Sequence, residues 1–227
     1  MKALLLFLLA WSPLSQESRL EVFVTCRAPM LFSDFGNDNF RQAVRPVPGG
    51  LRVDLKSRTL RLRGLNHRFA VDAAVLAAQP GAVRQAFAQA SQGALSLADY
   101  LRGISLFLRN RVAYDEAELP QGAAEVLAQG KGHCIGYANV AQALLACVGV
   151  SSRQVNGFFL REVRGRIEPV PHRWLEVFLP GNRRIFFDPQ YQDFSSRYLV
   201  ANAGFPPETI ERFDGVVVGR SKKILDE

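Results

Sequence analysis

The feature that most constrains the fold is a helix-like segment followed directly by three strand-like segments. A helical pattern of apolar residues begins near Cys134 and ends near Cys147, and Gly149 suits the left-handed position that closes a helix. The strand-like segments that follow are 153–162, 172–179 and 184–188. Strands joined in sequence by short turns form an antiparallel sheet, against which the helix can bury its apolar face. The sequence therefore predicts an α+β fold with a central helix packed on an antiparallel sheet.

The residues before this core show weaker patterns. Residues 20–26 are predicted to form a short strand, and residues 32–45, which have no clear period, a loop. Alternating residues predict a strand at 51–55, a turn at 56–58 and a second strand at 60–62, with Arg52, Arg61 and Arg63 on one basic face. We interpret that face as solvated rather than as a dedicated anion site. Helical segments are predicted at 69–78, 82–90 and 97–112.

The N-terminus, MKALLLFLLAWSPLSQ, has the layout of a secretory signal. Lys2 precedes nine apolar residues, which are followed by a polar stretch. The apolar run is too short to span a bilayer comfortably. We therefore predict a signal peptide at 1–15 and export to the periplasm or the exterior. Pro13 makes a poor cleavage site, so an uncleaved anchor or a cytoplasmic location stays open. The remaining chain is divided into an N-terminal hairpin and helical extension (16–96), a core (97–190) and a C-terminal extension (191–227).

Composition narrows the class of partner. The chain has 227 residues, 48% of them hydrophobic, which is enough for a proper core. Its net charge of +7 allows contact with an anionic envelope polymer or a membrane surface. The basic residues are spread out, and no nucleic-acid-binding motif is present, so no nucleic-acid partner is expected.

Three cysteines do not make a disulfide framework. In an exported protein Cys26 could pair with Cys147, and a Cys26–Cys134 disulfide would prevent any chemistry at Cys134. We favour Cys147 as a small buried residue on a helix face.

Cys134 is the candidate nucleophile. A thiol in the first turn of a helix faces unpaired backbone N–H groups and the positive end of the helix dipole, both of which favour the thiolate. His172, at the start of a strand, has the acidity of a general base, and Asp188, at the end of the next strand, could orient its imidazole.

The turn between the last two strands decides whether His172 and Asp188 can meet. If residues 180–182 form a three-residue loop, Asp188 lies opposite Trp174 and becomes a diagonal neighbour of His172 on the same face. A two-residue loop would place the two side chains on opposite faces. The hypothesis of a triad therefore requires the three-residue loop.

Other residues near these positions are weaker candidates. His133 could touch a substrate, although a half-exposed loop position is the simpler interpretation. Trp174 lies on the same strand face as His172 and is predicted to roof the site, to pack in the core, or both. His133, Cys134, His172 and Asp188 could in principle bind zinc, but adjacent residues at a helix start point in different directions, so we expect no metal site.

The ordered motifs resemble the core of the transglutaminase-like superfamily, in its bacterial type. They are GHCIGYANVAQALLACVGVSSRQVNGF, HRWLEVFLPG and FFDP, and the resemblance covers about residues 100–190. It implies a papain-like arrangement in which Cys134 is the nucleophile, His172 the general base and Asp188 the orienting residue. No cofactor is implied. Tyr114 is a weak candidate for lining the site, and a second oxyanion-hole donor is not identified.

The resemblance also implies a reaction. Members attack peptide or glutamine-type amide bonds through a thioester and pass the acyl group to water or an amine. We expect a peptide or protein substrate, and prefer hydrolysis by a protease or amidase to cross-linking. The alternative is a non-catalytic binding module on the same fold, recognising peptide or a cell-envelope polymer.

Overall fold

The computed structural model describes residues 17–25, 32–58, 69–117, 120–191, 195–201 and 217–220. In chain order its strands are β1 (Glu17–Thr25), β2 (Phe35–Gly36), β3 (Phe40–Val47), β4 (Gly50–Arg58), β5 (Ala113–Tyr114), β6 (Lys131–Gly132), β7 (Ser152–Val163), β8 (Arg166–Leu179), β9 (Arg183–Phe187), β10 (Tyr198–Val200) and β11 (Val217–Arg220). The helices are α1 (Ala73–Ala78), α2 (Gly81–Ala90), α3 (Leu97–Arg111), α4 (Ala123–Gln129) and α5 (Cys134–Ala146).

The strands form two antiparallel sheets and one short parallel pair. The central sheet has the order β10-β7-β8-β9, and the N-terminal sheet has the order β11-β1-β4-β3-β2. The parallel pair joins β5 to β6, directly before α5. The central sheet therefore carries the hairpins of the predicted core, and the N-terminal sheet is built mainly by residues upstream of it.

Each face of the central sheet packs in a different hydrophobic core. On one face, Leu175 and Val177 of β8 join buried residues of α2, α3 and α5. On the other, Trp174 and Phe186 join Val53 and other buried residues of the N-terminal sheet. Because side chains alternate across a strand, β8 contributes to both cores along its length. The central sheet is thus enclosed by helices on one side and by a second sheet on the other.

The central prediction is confirmed. Helix α5 buries Tyr137, Val140, Leu144 and Leu145 with their helical spacing, and Gly149 adopts the positive φ of +66°. The α5 helix packs against strands of an antiparallel sheet, so the fold is α+β as predicted. Among the described residues, no helix is long and apolar enough to span a membrane.

Two predictions upstream are wrong. Residues 32–45 are not a loop, because β3 begins at Phe40 and pairs with β4 in an antiparallel hairpin. The predicted turn at 56–58 is the end of β4, so the hairpin turn precedes β4. The alternation of β3 was hidden in the sequence because one of its buried positions is polar: Gln42 is 1% exposed. Arg52 faces outward and pairs with Glu21 at 3.3 Å.

Strand β10 is held at the edge of the central sheet by an amide side chain. Gln42 Nε2 donates to the carbonyl of Val200 at 2.9 Å, and the Val200 N–H donates to Gln42 Oε1 at 2.8 Å. Val200 also lies opposite Gly157 of β7, where a Cβ would overlap the carbonyl oxygen of Leu199. The N-terminal sheet and the absence of a side chain at Gly157 together fix how closely β10 approaches the sheet.

Several predictions fall outside the described residues or stay untested. Cys26, Arg61, Arg63 and the signal segment 1–15 lie outside the described residues, so the disulfide pairings and export stay predictions. The proposed domain boundaries also stay a prediction.

Candidate active site

Cys134 occupies the first position of α5 because the residues before it form a compact turn. Gly130 ends α4 with a φ of +65°, and β6 then pairs with β5. His133 is the N-cap of α5, and its Nδ1 accepts the Ile135 N–H at 3.4 Å. The predicted half-exposed histidine is therefore a helix cap, and the thiol beside it is partly buried.

The predicted register of the hairpin is confirmed. β8 pairs with β9 so that Leu175 lies opposite Phe187 and Leu179 opposite Arg183. His172 and Asp188 consequently share a face, and His172 Nε2 lies 2.6 Å from Asp188 Oδ2. Both side chains are buried, with 5% and 2% of their surfaces exposed. A hydrogen bond this short between buried groups fixes the ring of His172 in orientation.

The structure also brings Cys134 to His172. The thiol hydrogen-bonds the imidazole, and because Nε2 is taken by Asp188, the ring nitrogen left for sulfur is Nδ1. The three residues of the predicted triad therefore form one continuous chain of contacts, from the start of α5 to the end of β9.

The surroundings of Cys134 favour its thiolate. Burial by itself raises the pKa of the thiol, but hydrogen bonds from His133 and His172, the charge of His172 and the backbone N–H of Arg173 lower the pKa to about 6. These contributions outweigh burial because each places a donor or a positive charge against the sulfur. At neutral pH the favoured state of Cys134 is consequently the anion.

The surroundings of His172 favour its cation. Burial lowers the pKa of the imidazole, but the charge of Asp188, the hydrogen bond to Asp188 and the contact with Cys134 raise the pKa to about 10. The two shifts are coupled, since each charged form stabilises the other. Between about pH 6 and pH 10 the arrangement therefore favours a thiolate–imidazolium pair.

The end of β9 explains why a backbone N–H is available to the sulfur. The last pair between β8 and β9 joins Leu175 to Phe187, so this pairing ends two positions before Arg173. Its N–H instead hydrogen-bonds Cys134. The sulfur of Cys134, in the first turn of α5, is therefore bonded at a point where the pairing of β8 with β9 has ended.

A chain of amide side chains connects the segment before Cys134 to the strand that carries His172. The guanidinium of Arg173 donates to Gln154 Oε1 at 3.1 Å, and Gln154 Nε2 donates to Asn139 Oδ1 at 2.6 Å. Asn139 Nδ2 donates to the carbonyl of Gln121 at 2.7 Å, and the His133 N–H donates to Gln121 Oε1 at 3.1 Å. These bonds hold α5, β7 and β8 in one relative position, which preserves the contact between the thiol and the imidazole.

The weaker predictions are placed differently. Tyr114 is 46% exposed, and burial and then the charge of Cys134, the candidate nucleophile, raise its pKa to about 12. Trp174 packs in the core, which is one of the roles predicted for it: it is fully buried and stacks against His172 with ring centroids 6.0 Å apart. The exposed ring beside His172 is Tyr191, which is 40% exposed and lies 5.9 Å from the imidazole.

Two contacts of Asp188 were not predicted. The Tyr198 hydroxyl donates to Asp188 Oδ2 at 2.6 Å, and the Gln190 N–H donates to Oδ1 at 2.8 Å. Tyr191 also stacks on Phe159 at 5.0 Å. No local pattern marks Tyr198 or Tyr191, because both lie beyond the hairpin in a segment without clear periodicity.

Within the part of the chain that the structure describes, no group of His, Cys, Asp and Glu side chains is arranged to hold a metal ion.

Comparisons with known proteins agree with the geometry. Residues 85–189 match the family model of the transglutaminase-like superfamily, which confirms the predicted resemblance and starts it earlier in the chain. No protein of curated function matches the sequence.

Three solved structures are similar at low identity. A candidate cysteine protease from Cytophaga hutchinsonii is 13% identical with a TM-score of 0.48, covering 82% of this chain and 78% of that one. A TGase is 13% identical with a TM-score of 0.39, covering 65% of this chain and 43% of the other. A candidate protease from Parabacteroides distasonis is 12% identical with a TM-score of 0.31, and the coverage is 77% and 42%. The family assignment rests on the match over residues 85–189.

Proposed function

We propose that the protein is a cysteine-dependent hydrolase or acyltransferase, on the premise that residues 85–189 match the transglutaminase-like superfamily. It acts on peptide or glutamine-type amide bonds, with Cys134 as nucleophile, His172 as general acid and base, and Asp188 as the group that orients His172. The observation that carries the proposal is the buried contact chain from the Cys134 thiol through His172 to Asp188. A residue that serves only packing does not need a thiol stabilised as its anion.

The first half of the reaction is acyl transfer to sulfur. The Cys134 thiolate attacks the amide carbonyl carbon, and the backbone N–H of Cys134 itself stabilises the oxyanion. His172 gives its Nδ1 proton to the departing nitrogen as the C–N bond breaks. The amine leaves, and the acyl group stays on Cys134 as a thioester.

The second half returns the enzyme to its starting state. Neutral His172 takes a proton from water, and the oxygen attacks the thioester carbonyl. The C–S bond breaks, the acid is released and the thiolate–imidazolium pair is restored. A primary amine in place of water would give a new amide. We prefer water as the acceptor, because hydrolysis needs no binding site for a second substrate.

The test is the pH dependence of Cys134 alkylation by iodoacetamide. The wild-type labelling rate is expected to have its midpoint near pH 6, and His172→Ala to move that midpoint toward the value of about 8.5 that is usual for a free thiol. The midpoint is more informative than the absolute rate, because a thiolate with a lowered pKa is also intrinsically less nucleophilic. Cys134→Ala identifies the labelling that belongs to this residue.

Two outcomes would overturn the enzyme hypothesis. A wild-type midpoint near 8.5, or one that His172→Ala leaves in place, would favour the binding module instead. If the midpoint is as expected, a glutamine-containing peptide assayed with and without a primary amine separates hydrolysis from transfer. Release of the free acid in the presence of the amine supports hydrolysis, and exclusive formation of the new amide contradicts our preference.

A further inference from the structure

Strand β10 places a tyrosine hydroxyl directly on the carboxylate of the candidate triad. Tyr198 is fully buried, and its hydroxyl donates to Asp188 Oδ2, the same oxygen that lies 2.6 Å from His172 Nε2. The two hydrogen bonds have equal lengths, so one carboxylate oxygen is shared by an imidazole and a phenol. We propose that Tyr198 is a positioning residue that keeps the carboxylate of Asp188 aimed at His172, and thereby maintains the reactive state of Cys134; this inference rests on the proposed function.

The hydroxyl can only act as a donor in this setting. Burial, then the charge of Asp188 and the hydrogen bond to it, raise the pKa of Tyr198 well above its ordinary value. The phenol therefore keeps its proton at every pH at which the thiolate–imidazolium pair exists. A neutral donor of this kind stabilises a buried carboxylate. Unlike a cation, it does not compete with the imidazolium for that carboxylate.

The position of the hydroxyl is set by contacts from inside the matched residues 85–189 and from outside them. Tyr198 lies opposite Phe159 in the pairing of β10 with β7, and its ring packs edge-on against Trp174 at 5.1 Å. Gln42 holds the same strand through both backbone groups of Val200. The N-terminal sheet thus supports the triad indirectly, through β10, although it contributes no member of it.

The other titratable and charged groups around this cluster come from several elements. They are His172 of β8, Tyr191 after β9, Cys134 and His133 at the start of α5, Arg161 of β7 and Tyr114 of β5. Tyr198 differs from Tyr191 and Tyr114 in being buried and directly bonded to the carboxylate. Removing its hydroxyl lets the carboxylate rotate away from His172. A carboxylate that no longer faces the imidazole supports the imidazolium less, so the thiolate should form only at higher pH.

The experiment measures the midpoint of Cys134 alkylation in Tyr198→Phe. We expect the midpoint to move upward by roughly half to one pH unit, since a hydrogen bond to a charged group is lost one step away from the thiol. Tyr100→Phe is the matched control: Tyr100 is also fully buried, and its hydroxyl donates to the carbonyl of Leu144 at 2.7 Å. The Tyr100→Phe variant should lose about as much stability as Tyr198→Phe and keep the wild-type alkylation midpoint.

A midpoint in Tyr198→Phe that is unchanged or lower than in the wild type overturns the proposal, and so does an equal upward shift in Tyr100→Phe. If Tyr198→Phe does not fold, 3-fluorotyrosine at position 198 decides the question. Its hydroxyl is a stronger donor, so the midpoint should move down, and no shift or an upward shift contradicts the inference. A wild-type midpoint near 8.5 would instead show that the proposed function fails. The two failures are distinguishable, because this one is measured on the wild type without any variant at Tyr198.

Discussion

Helix α5 is flanked by a cysteine at each end, and the two thiols have opposite acidities. At the N-terminal end, burial raises the pKa of Cys134, but hydrogen bonds and the charge of His172 lower it to about 6. At the C-terminal end, burial raises the pKa of Cys147, and its thiol donates to the carbonyl of Ala143 at 3.3 Å. One side chain type on one helix therefore has two different chemical states.

The difference shows how much the ends of a helix differ as surroundings for a thiol. Unpaired N–H groups and the positive end of the dipole meet Cys134, whereas carbonyl oxygens and the negative end meet Cys147. The helix alone supplies only part of the contrast, because the histidines and the Arg173 N–H come from residues packed around the N-terminus. The charge of Asp72 adds to the effect at the other end by further raising the pKa of Cys147.

The largest change should come from Asp188→Asn, which would nearly abolish the contrast between the two thiols. Without the carboxylate charge, burial dominates at His172 and lowers the pKa of the imidazole, so the imidazolium no longer supports the Cys134 anion. The alkylation midpoint should rise from near 6 by more than one pH unit, and hydrolysis should fall by roughly 10²–10⁴-fold. The midpoint and the NMR titration of His172 measure this. A midpoint that stays near 6 would mean that the carboxylate does not hold the ion pair.

A smaller change is expected at His133, which both caps α5 and bonds the Cys134 thiol. His133→Ala removes both contacts, so it should raise the alkylation midpoint and lower the free energy of unfolding by about 0.5–2 kcal/mol. His133→Asn is the matched variant, because its side-chain oxygen can cap the helix but cannot replace the imidazole at the sulfur. We expect it to recover stability in urea unfolding while its midpoint stays raised. Equal stability of the two variants would argue against the cap.

The smallest change is expected from Cys147→Ala, which tests the other end of the helix. The buried sulfur fills space in the helical core, and its removal should cost about 1 kcal/mol in the free energy of unfolding. The alkylation midpoint of Cys134 should not move. Native protein with Cys134→Ala should label Cys147 only in denaturant, and rapid labelling without denaturant would show that the C-terminal thiol is not protected by burial.

The hairpin that carries His172 and Asp188 could be predicted because its geometry is local. A three-residue turn of proline, glycine and asparagine determines the pairing, and the pairing determines which side chains share a face. The same reasoning placed Trp174 on the face of His172 correctly, but it could not tell an exposed position from a buried one. That depended on the N-terminal sheet, which covers the face and fully buries the indole.

The contribution of β10 could not be predicted because nothing in its own residues indicates it. Tyr198 reaches Asp188 only after β10 has paired with β7, and that pairing depends on Gly157 and on Gln42 from a distant strand. Buried polar residues such as Gln42 interrupt the alternation that identifies strands, which is also why the sequence predicts a loop where β3 lies. Because these hydrogen bonds join residues that are far apart in the chain, the sequence alone predicts neither β3 nor the contribution of β10.

The Arg173 N–H that bonds Cys134 has a consequence for the choice of an inactive variant. Arg173 is 4% exposed, and a buried backbone donor left without an acceptor costs about 1–3 kcal/mol. Here the sulfur of Cys134 is that acceptor. Cys134→Ala therefore removes the acceptor together with the candidate nucleophile, whereas Cys134→Ser keeps an oxygen in its place. The serine variant is accordingly the better inactive form for crystallisation or substrate trapping.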